Sequence, residues 1–380
     1  MSIIINILLL FLVISILTFV HELGHFLAAR AVKAKVLDFS VGFGPKIFSK
    51  RYKGTMYNLR ALPFGGFCKI LGDGDPVKEK EDRKDSGNLK NKSKIAQMFV
   101  MLAGVTMNIL LAILLYTIYL SSNEWRMGIG NTYEDFKPIG AVITKERVSD
   151  IPYEVAPEGG AIDSEMYEKG YIVSINDEKI DDYKELTNTL SKYKSEEVIV
   201  YACKEENKEC NYFNVYVNEE SKLGIYTGYN YNVYIDYTDN KLFAGISHSI
   251  NIVKLSGEAL SSLISQARQT GDYSELSNTV SGPIGIYFII DYFKTLGIIT
   301  FLGILADLSL SLAVINLFPL PALDGGRFLI LLIESIFRKN LNQKVEAIII
   351  NLSFLFLILF IVFIMIKDII NIEQLKSLFK

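Results

Sequence analysis

Residues 14–35 read ISILTFVHELGHFLAARAVKAK, and the architecture turns on them. The nineteen residues before the first histidine, Ser2 to Val20, carry no charge. That length meets the roughly 20 apolar residues a helix needs to span a bilayer. HELGH follows without a break. A helix turns once every 3.6 residues, so His21 and His25 share a face, with Glu22 beside them. Two imidazoles so placed can bind zinc, and the carboxylate can take a proton from water. Ionisable residues inside a membrane helix are costly and mark functional sites. Ile3 and His21 are eighteen steps apart, or about 27 Å of helix, which nearly crosses a core of about 30 Å. The metal would lie near the far leaflet, where water can enter.

The rest of the chain agrees with a membrane protein. Half of its 380 residues are hydrophobic, with a mean hydropathy of +0.27, which excludes an ordinary soluble domain. A net charge of −3 points to no nucleic-acid partner. Three cysteines exclude a disulfide scaffold, although Cys203 and Cys210, which flank KEENKE, could pair in an oxidising compartment. Further apolar runs cover Ile95–Leu120, Leu296–Leu323 (interrupted by Asp307) and Ala347–Ile366, giving four spans with the first. A cleaved leader competes for the first run, but no basic residue precedes it and HELGH follows. Residues 30–94 hold sixteen Lys/Arg, against twelve in residues 121–240 with twenty-four Asp/Glu. The positive-inside rule puts the first loop in the cytoplasm and the second, with both termini, outside.

A catalytic zinc usually has three protein ligands and an open position. The one other histidine, His248 in FAGISHSINIV, reads as a surface or packing residue. The better third ligand is distant: Asp324 in INLFPLPALDGGRF. Pro319 and Pro321 break the helix before it, and Gly325 and Gly326 let the backbone approach closely. Irregular backbone at membrane depth is tolerated where it lines a cavity or is buried in protein.

HELGH on a first span and N-x-x-P-x-P-x-L-D-G on a later one resemble the site-2 protease family of intramembrane zinc metalloproteases, in its bacterial RseP type. The resemblance covers nearly the whole chain. It implies a polytopic α-helical membrane protein with four transmembrane helices, a membrane-associated β-hairpin and an extracytoplasmic PDZ-like α+β domain. It implies zinc held by His21, His25 and Asp324, with Glu22 as catalytic base. Asn316, Pro319 and Pro321, with Gly65 and Gly66 of the hairpin, would hold the substrate. The substrate would be a single-span membrane protein, anti-sigma-factor-like or signal-peptide-like, cut in the bilayer of the bacterial inner membrane during regulated intramembrane proteolysis.

Other segments fit that plan. MYNLRAL and FCKIL flank Pro63–Gly66 and read as a hairpin whose edge could receive an unwound substrate strand. The glycine-rich, aromatic stretch 39–50 reads as interfacial. AGVTMN (103–108) resembles the family's A-G-P-x-x-N, with Val105 in place of proline. There Asn108 would support the ligands or the hairpin, or serve with Gly104 in plain helix packing. Residues 1–120 form the first membrane half and 121–240 the outer region. A PDZ-like domain is expected at about 138–222, departing from the PDZ pattern at Gly170-Tyr171 and Asn176-Asp177. It would bind a peptide or screen substrates by bulk. An amphipathic helix and connector would occupy 241–290, including SGPIGIY (281–287), and the last two spans 291–380. Asp307 reads as a structural or water-path group. Two other classes compete. A zinc transporter or metal sensor would need neither hairpin nor outer domain, and a catalytically silent PDZ adaptor would not need Glu22.

Overall fold

A computed structural model describes residues 2–73, 84–280 and 282–373. Ser281 of SGPIGIY, and the part of the basic loop at 74–83, lie outside the described residues. The chain divides into two compact units, 1–122 with 242–380, and Asn123–Lys241 between them.

In the first unit, α1 (Ser2–Ala31) carries the apolar run and HELGH without interruption. It ends where Lys33 turns left-handed (φ 58°) and the Ala34 amide bonds back to the Ala29 carbonyl at 2.8 Å, a Schellman closure. The chain then forms two long paired strands, β1 (Val36–Tyr52) and β2 (Thr55–Ile70). Here the structure corrects the sequence reading. The two-residue hairpin turn is Lys53-Gly54, with φ of 46° and 84°, and residues 46–52 pair with 55–60 across it. Pro63–Gly66 makes no hairpin turn. Gly65 (φ 72°) bends a strand that continues to Ile70, and its residues 67–70 pair with residues 36–40 rather than with MYNLRAL.

The second span, α2 (Lys94–Ser122), packs against α1. Gly24 makes that contact close: a Cβ there would stand 2.3 Å from the Ala103 carbonyl oxygen. Val13 and Leu17 of α1 join Ala112, Leu115 and Tyr116 of α2 in one apolar core. Ala28, Ala29, Val36, Ile70, Val100 and Met101 form a second core, between the HELGH end of α1, the strands and the start of α2.

The second unit opens with β3 (Arg126–Ile129), β4 (Val142–Arg147), β5 (Ile151–Val155), a helical turn α3 (Gly160–Asp163), β6 (Lys169–Ile175) and β7 (Glu178–Lys179). There follow α4 (Tyr183–Lys192), β8 (Glu197–Glu205), β9 (Lys208–Tyr216), β10 (Ile225–Thr227) and β11 (Tyr231–Asp236). One sheet has the order β10-β5-β6-β8-β9, with β7 on β6, and the other β3-β11-β4. Asn176 and Asp177, both at positive φ, make the two-residue turn between β6 and β7. Asp182 caps α4 by accepting the Glu185 amide at 2.8 Å. Cys203 and Cys210 stand opposite each other on β8 and β9 and are bonded. The unit is wider than 138–222: β10 completes the larger sheet, while β3 and β11 pair the chain's entry with its exit.

The chain re-enters the first unit at α5 (Ala244–Thr270), followed by α6 (Ser274–Thr279) and α7 (Pro283–Phe293). The start of α5 inverts the usual soluble pattern. Ser247, His248, Ser249 and Asn251 are buried, while Ile246, Ile250 and Val253 are exposed. A Cβ on Gly245 would meet the Ile113 carbonyl oxygen at 2.5 Å, so α5 lies tight against α2. His248 is thus an interior group, 0% exposed, its ring 4.6 Å from that of Tyr116. The Tyr116 hydroxyl donates to Asp307 at 2.5 Å.

The third span, α8 (Ile298–Asn316), stops at Asn316. Residues 317–323 are not helical, and α9 (Asp324–Phe337) begins at the acid itself. The sequence reading did not foresee α9. The last span, α10 (Gln343–Ile370), has no buried residue in its most apolar window. Polar contacts fasten it instead: Glu346 to Lys90 (3.1 Å), Ser353 to the Ala322 amide (3.1 Å), and Asp368 to the Gly282 amide that opens α7 (2.8 Å). Four helices among the described residues are long and apolar enough to cross a membrane: Ile4–Ala31, Lys94–Ser122, Ile298–Asn316 and Lys344–Ile370.

Candidate metal centre

His21 and His25 project from one face of α1, and Asp324 from the first turn of α9. Three atoms converge. His21 Nε2 and His25 Nε2 lie 3.0 and 3.2 Å from Asp324 Oδ2, and 3.2 Å from each other. The three side chains are only 11–15% exposed.

The arrangement makes poor sense as a hydrogen-bond network and good sense as a ligand set. Asp324 Oδ2 is buried and accepts no hydrogen bond of ordinary geometry. His25 Nδ1 sits 2.8 Å from the Val100 carbonyl oxygen, which can only accept, so the proton of a neutral ring is on Nδ1 and Nε2 is a bare lone pair. His21 Nδ1 faces the Asn108 side-chain amide at 3.3 Å, whose Oδ1 is buried without a partner. With the amide turned so that Oδ1 accepts from Nδ1–H, that oxygen is satisfied and His21 Nε2 is freed as well. Ligand atoms on a tetrahedral zinc, at bonds of about 2.0–2.1 Å, stand about 3.3 Å apart. Two imidazole nitrogens and a carboxylate oxygen, spaced as they are here, fit three corners and leave the fourth open.

Neighbouring backbone makes room for this cluster. A Cβ on Gly104 would lie 2.5 Å from His25 Nε2 and 2.7 Å from His21 Nε2. Gly325 and Gly326 serve the other side. Their Cβ atoms would strike the carbonyl oxygens of Leu317 and Leu320, at 2.3 and 2.1 Å. Neither glycine has positive φ among the described residues, so they supply closeness rather than a bend. Ser309 of α8 donates to the Asn108 carbonyl at 2.9 Å, tying the third span to the second at the level of the site. Arg327, one turn after Asp324, is ion-paired with Asp73, at the end of the strand pair.

Glu22 points to the strands. One of its carboxylate oxygens accepts the Cys68 backbone amide at 2.7 Å. Of the other expected residues, Asn316 is the last residue of α8, and Pro319 and Pro321 lie in the segment leading to Asp324. Gly65 and Gly66 lie in β2, three and two residues from Cys68, packed against Phe43 and the Ser40 carbonyl. The sequence reading missed the Val100 carbonyl and the Cys68 amide. Both are backbone groups, and no residue type announces them.

Known proteins resemble this chain along most of its length. The sequence profile described as Peptidase family M50 matches residues 9–360. A Clostridium perfringens chain, provisionally named a zinc metalloprotease, is 31% identical over 94% of this chain and 97% of its own. The regulator of sigma-W protease RasP of Bacillus subtilis is 26% identical over 93% of this chain and 95% of its own. The zinc metalloprotease RasP of Bacillus licheniformis is 25% identical over 94% and 97%.

Proposed function

The chain belongs to peptidase family M50, the site-2 proteases, and on that premise we propose that it cuts transmembrane segments of single-span membrane proteins, with His21, His25 and Asp324 holding zinc and Glu22 as base. It is a zinc metalloendopeptidase and a multi-pass membrane protein. The observation that carries the ligand assignment is the triangle of Nε2, Nε2 and Oδ2 atoms, drawn from residues 303 positions apart in the chain.

Zinc, when bound, supplies a Lewis acid that polarises the scissile carbonyl and acidifies water. The protein's own groups do the rest. Val100 and Asn108 hold each imidazole proton on Nδ1, so both Nε2 atoms stay available. Glu22, next to His21 in the chain, accepts the proton of the attacking water and later returns it to the leaving amine. Residues 66–70 of β2 offer an edge on which an unwound substrate can be held as a further strand, its backbone groups satisfied where water is scarce. Asn316, Pro319 and Pro321 wall the approach to Asp324.

The substrate class is anti-sigma-factor-like or signal-peptide-like, in the bacterial cytoplasmic membrane, with the basic loop inside. The PDZ-like outer unit, tethered through α2 and α5, screens substrates by bulk. Antiparallel pairing of β3 and β11 offers a clean way to remove it: a two-residue turn joining Ile129 to Val233. The shortened protein should still cut a trimmed substrate and should gain an untrimmed one. Loss of both would make the unit a recruiter of substrate. For the chemistry, Glu22→Gln should keep zinc at one equivalent and lose cleavage by several orders of magnitude. Retained cleavage by that purified variant would remove Glu22 from the role.

A further inference from the structure

Glu22 does not hang free beside the metal ligands. Its carboxylate is bonded to the backbone N–H of Cys68, in β2. A backbone amide has one hydrogen to give, so this one is absent from the ladder with β1. By the two-residue period of a strand, Gly66 and Ile70 turn their amides the same way. The outward edge of 66–70 therefore faces α1. A second contact says the same: the Ser15 hydroxyl donates to the Pro63 carbonyl. Ser15 and Glu22 are seven residues apart and lie on one face of α1, which thus meets β2 at Pro63 and again at Cys68.

A strand added to this edge needs the same amide. Its carbonyl and the Glu22 carboxylate compete for one hydrogen, and only one can have it. We propose that the Cys68 amide is a latch that holds Glu22 until an unwound substrate strand takes over the hydrogen bond and releases the carboxylate. The exchange balances: Cys68 N–H to Glu22 Oε2 breaks, and Cys68 N–H to a substrate carbonyl oxygen forms. Both carboxylate oxygens are then free to accept a proton. The base is set free only by a segment that has already lost its helix, so an intact transmembrane helix drifting past does not arm the site. This rests on the reading of Glu22 as base and of β2 as the substrate-receiving edge.

The test measures binding, with the full-length protein in detergent. The probe is an apolar Leu/Ala/Gly peptide whose central amide is reduced, so that it cannot be cut. Removing the competitor in Glu22→Ala should tighten peptide binding about tenfold or more, as expected for a charge-assisted bond that no longer has to be broken. A lost charge could tighten binding by itself, so the same substitution is repeated where the amide hydrogen is gone. Cys68→Pro removes it at a position outside the ladder, and an α-hydroxy acid at position 68 removes it with less backbone constraint should the proline variant misfold. In either background the gain from Glu22→Ala should vanish. Selective [15N]cysteine labelling gives an independent reading, since the chain has only three cysteines. Without peptide, Glu22→Ala should speed hydrogen exchange at the Cys68 amide at least tenfold. With peptide bound, wild type and variant should exchange alike. Equal or weaker peptide binding by Glu22→Ala, or a gain that survives loss of the amide hydrogen, would overturn the latch while leaving the protease reading intact. A wild-type protein that holds zinc but cuts no membrane substrate would overturn the underlying reading, whatever the peptide does.

Discussion

Gly104 and His25 belong to different membrane helices, yet the hydrogen on Gly104 occupies the space where any side chain would meet the imidazole: an added Cβ would stand 2.5 Å from Nε2. The close crossing of α1 and α2 and the convergence of the ligands are therefore one feature. Gly104→Ala should push the rings from their positions without removing a ligand. We expect zinc content to fall below half an equivalent and cleavage at least tenfold, while the span still inserts. Metal analysis of the purified variant, beside a protease-protection assay of its topology, checks this.

Asn108 is expected to act through His21. Asn108→Leu leaves Nδ1 without a buried acceptor and unsettles which nitrogen carries the proton. Loss of such a supporting bond typically costs 10- to 100-fold in metal affinity. Competition with a zinc chelator should show a drop of about that size in Asn108→Leu and a smaller one in Asn108→Asp, which keeps an acceptor. Equal affinities in wild type and Asn108→Leu would assign Asn108 to helix packing alone.

Acid should loosen the unit Asn123–Lys241 in a defined window. Lys145, then the Tyr231 hydroxyl and Lys184, hold the Glu134 carboxyl down at about 2, although its partial burial works the other way. In the unfolded chain it titrates near about 4.3. A depressed folded value stabilises the fold above the unfolded one, and that contribution is lost as pH falls from about 4.3 towards 2. The only tryptophan, Trp125, lies in this unit and reports its melting. The melting temperature should fall over that interval in wild type. Glu134→Gln should start lower at pH 7 and fall less.

Topology and the cystine can be checked together. Cysteines introduced at positions 85 and 219 should label from the cytoplasmic and outer sides respectively. The native Cys203–Cys210 pair should resist alkylation in the denatured, unreduced protein, while Cys68 reacts. Outside labelling at 85 without labelling at 219 would reverse the orientation.

Much of this was legible in the sequence, for reasons that differ by element. The spans announce themselves because a bilayer demands long charge-free runs. HELGH and Asp324 stand out because ionisable groups are costly in such runs. An aspartate cap on α4, at 181 or 182, and the Asn176-Asp177 turn follow from local backbone chemistry, and the structure gives the cap to Asp182. The strand pairing was less visible. Pro63–Gly66 carries stronger turn residues than Lys53-Gly54, but the partner of FCKIL is set by packing of residues 36–41 beneath α1, a long-range matter. His248 reads as a surface or packing residue, and of the two the structure gives it the packing role, against Tyr116. Which face points inward depends on whether water or lipid lies outside, and the polar face of α5 is the buried one. The Cys68 amide, carried by the backbone, leaves no trace in a string of side chains.

The two parts of the triangle are made at different times. His21 leaves the ribosome 303 residues and His25 299 residues before Asp324, which at bacterial synthesis rates of about 5–20 residues per second is an interval of about 15–60 s. Throughout it, the membrane holds a HELGH helix that lacks its carboxylate partner. The nascent protease passes its own insertion machinery, and its neighbours in the bilayer, while it is still incomplete. On the ligand assignment proposed above, completing the triangle would itself be the arming step. A ribosome-stalled chain ending before residue 324 should carry an inserted first span, with neither a stoichiometric zinc nor any cleavage of a co-resident substrate.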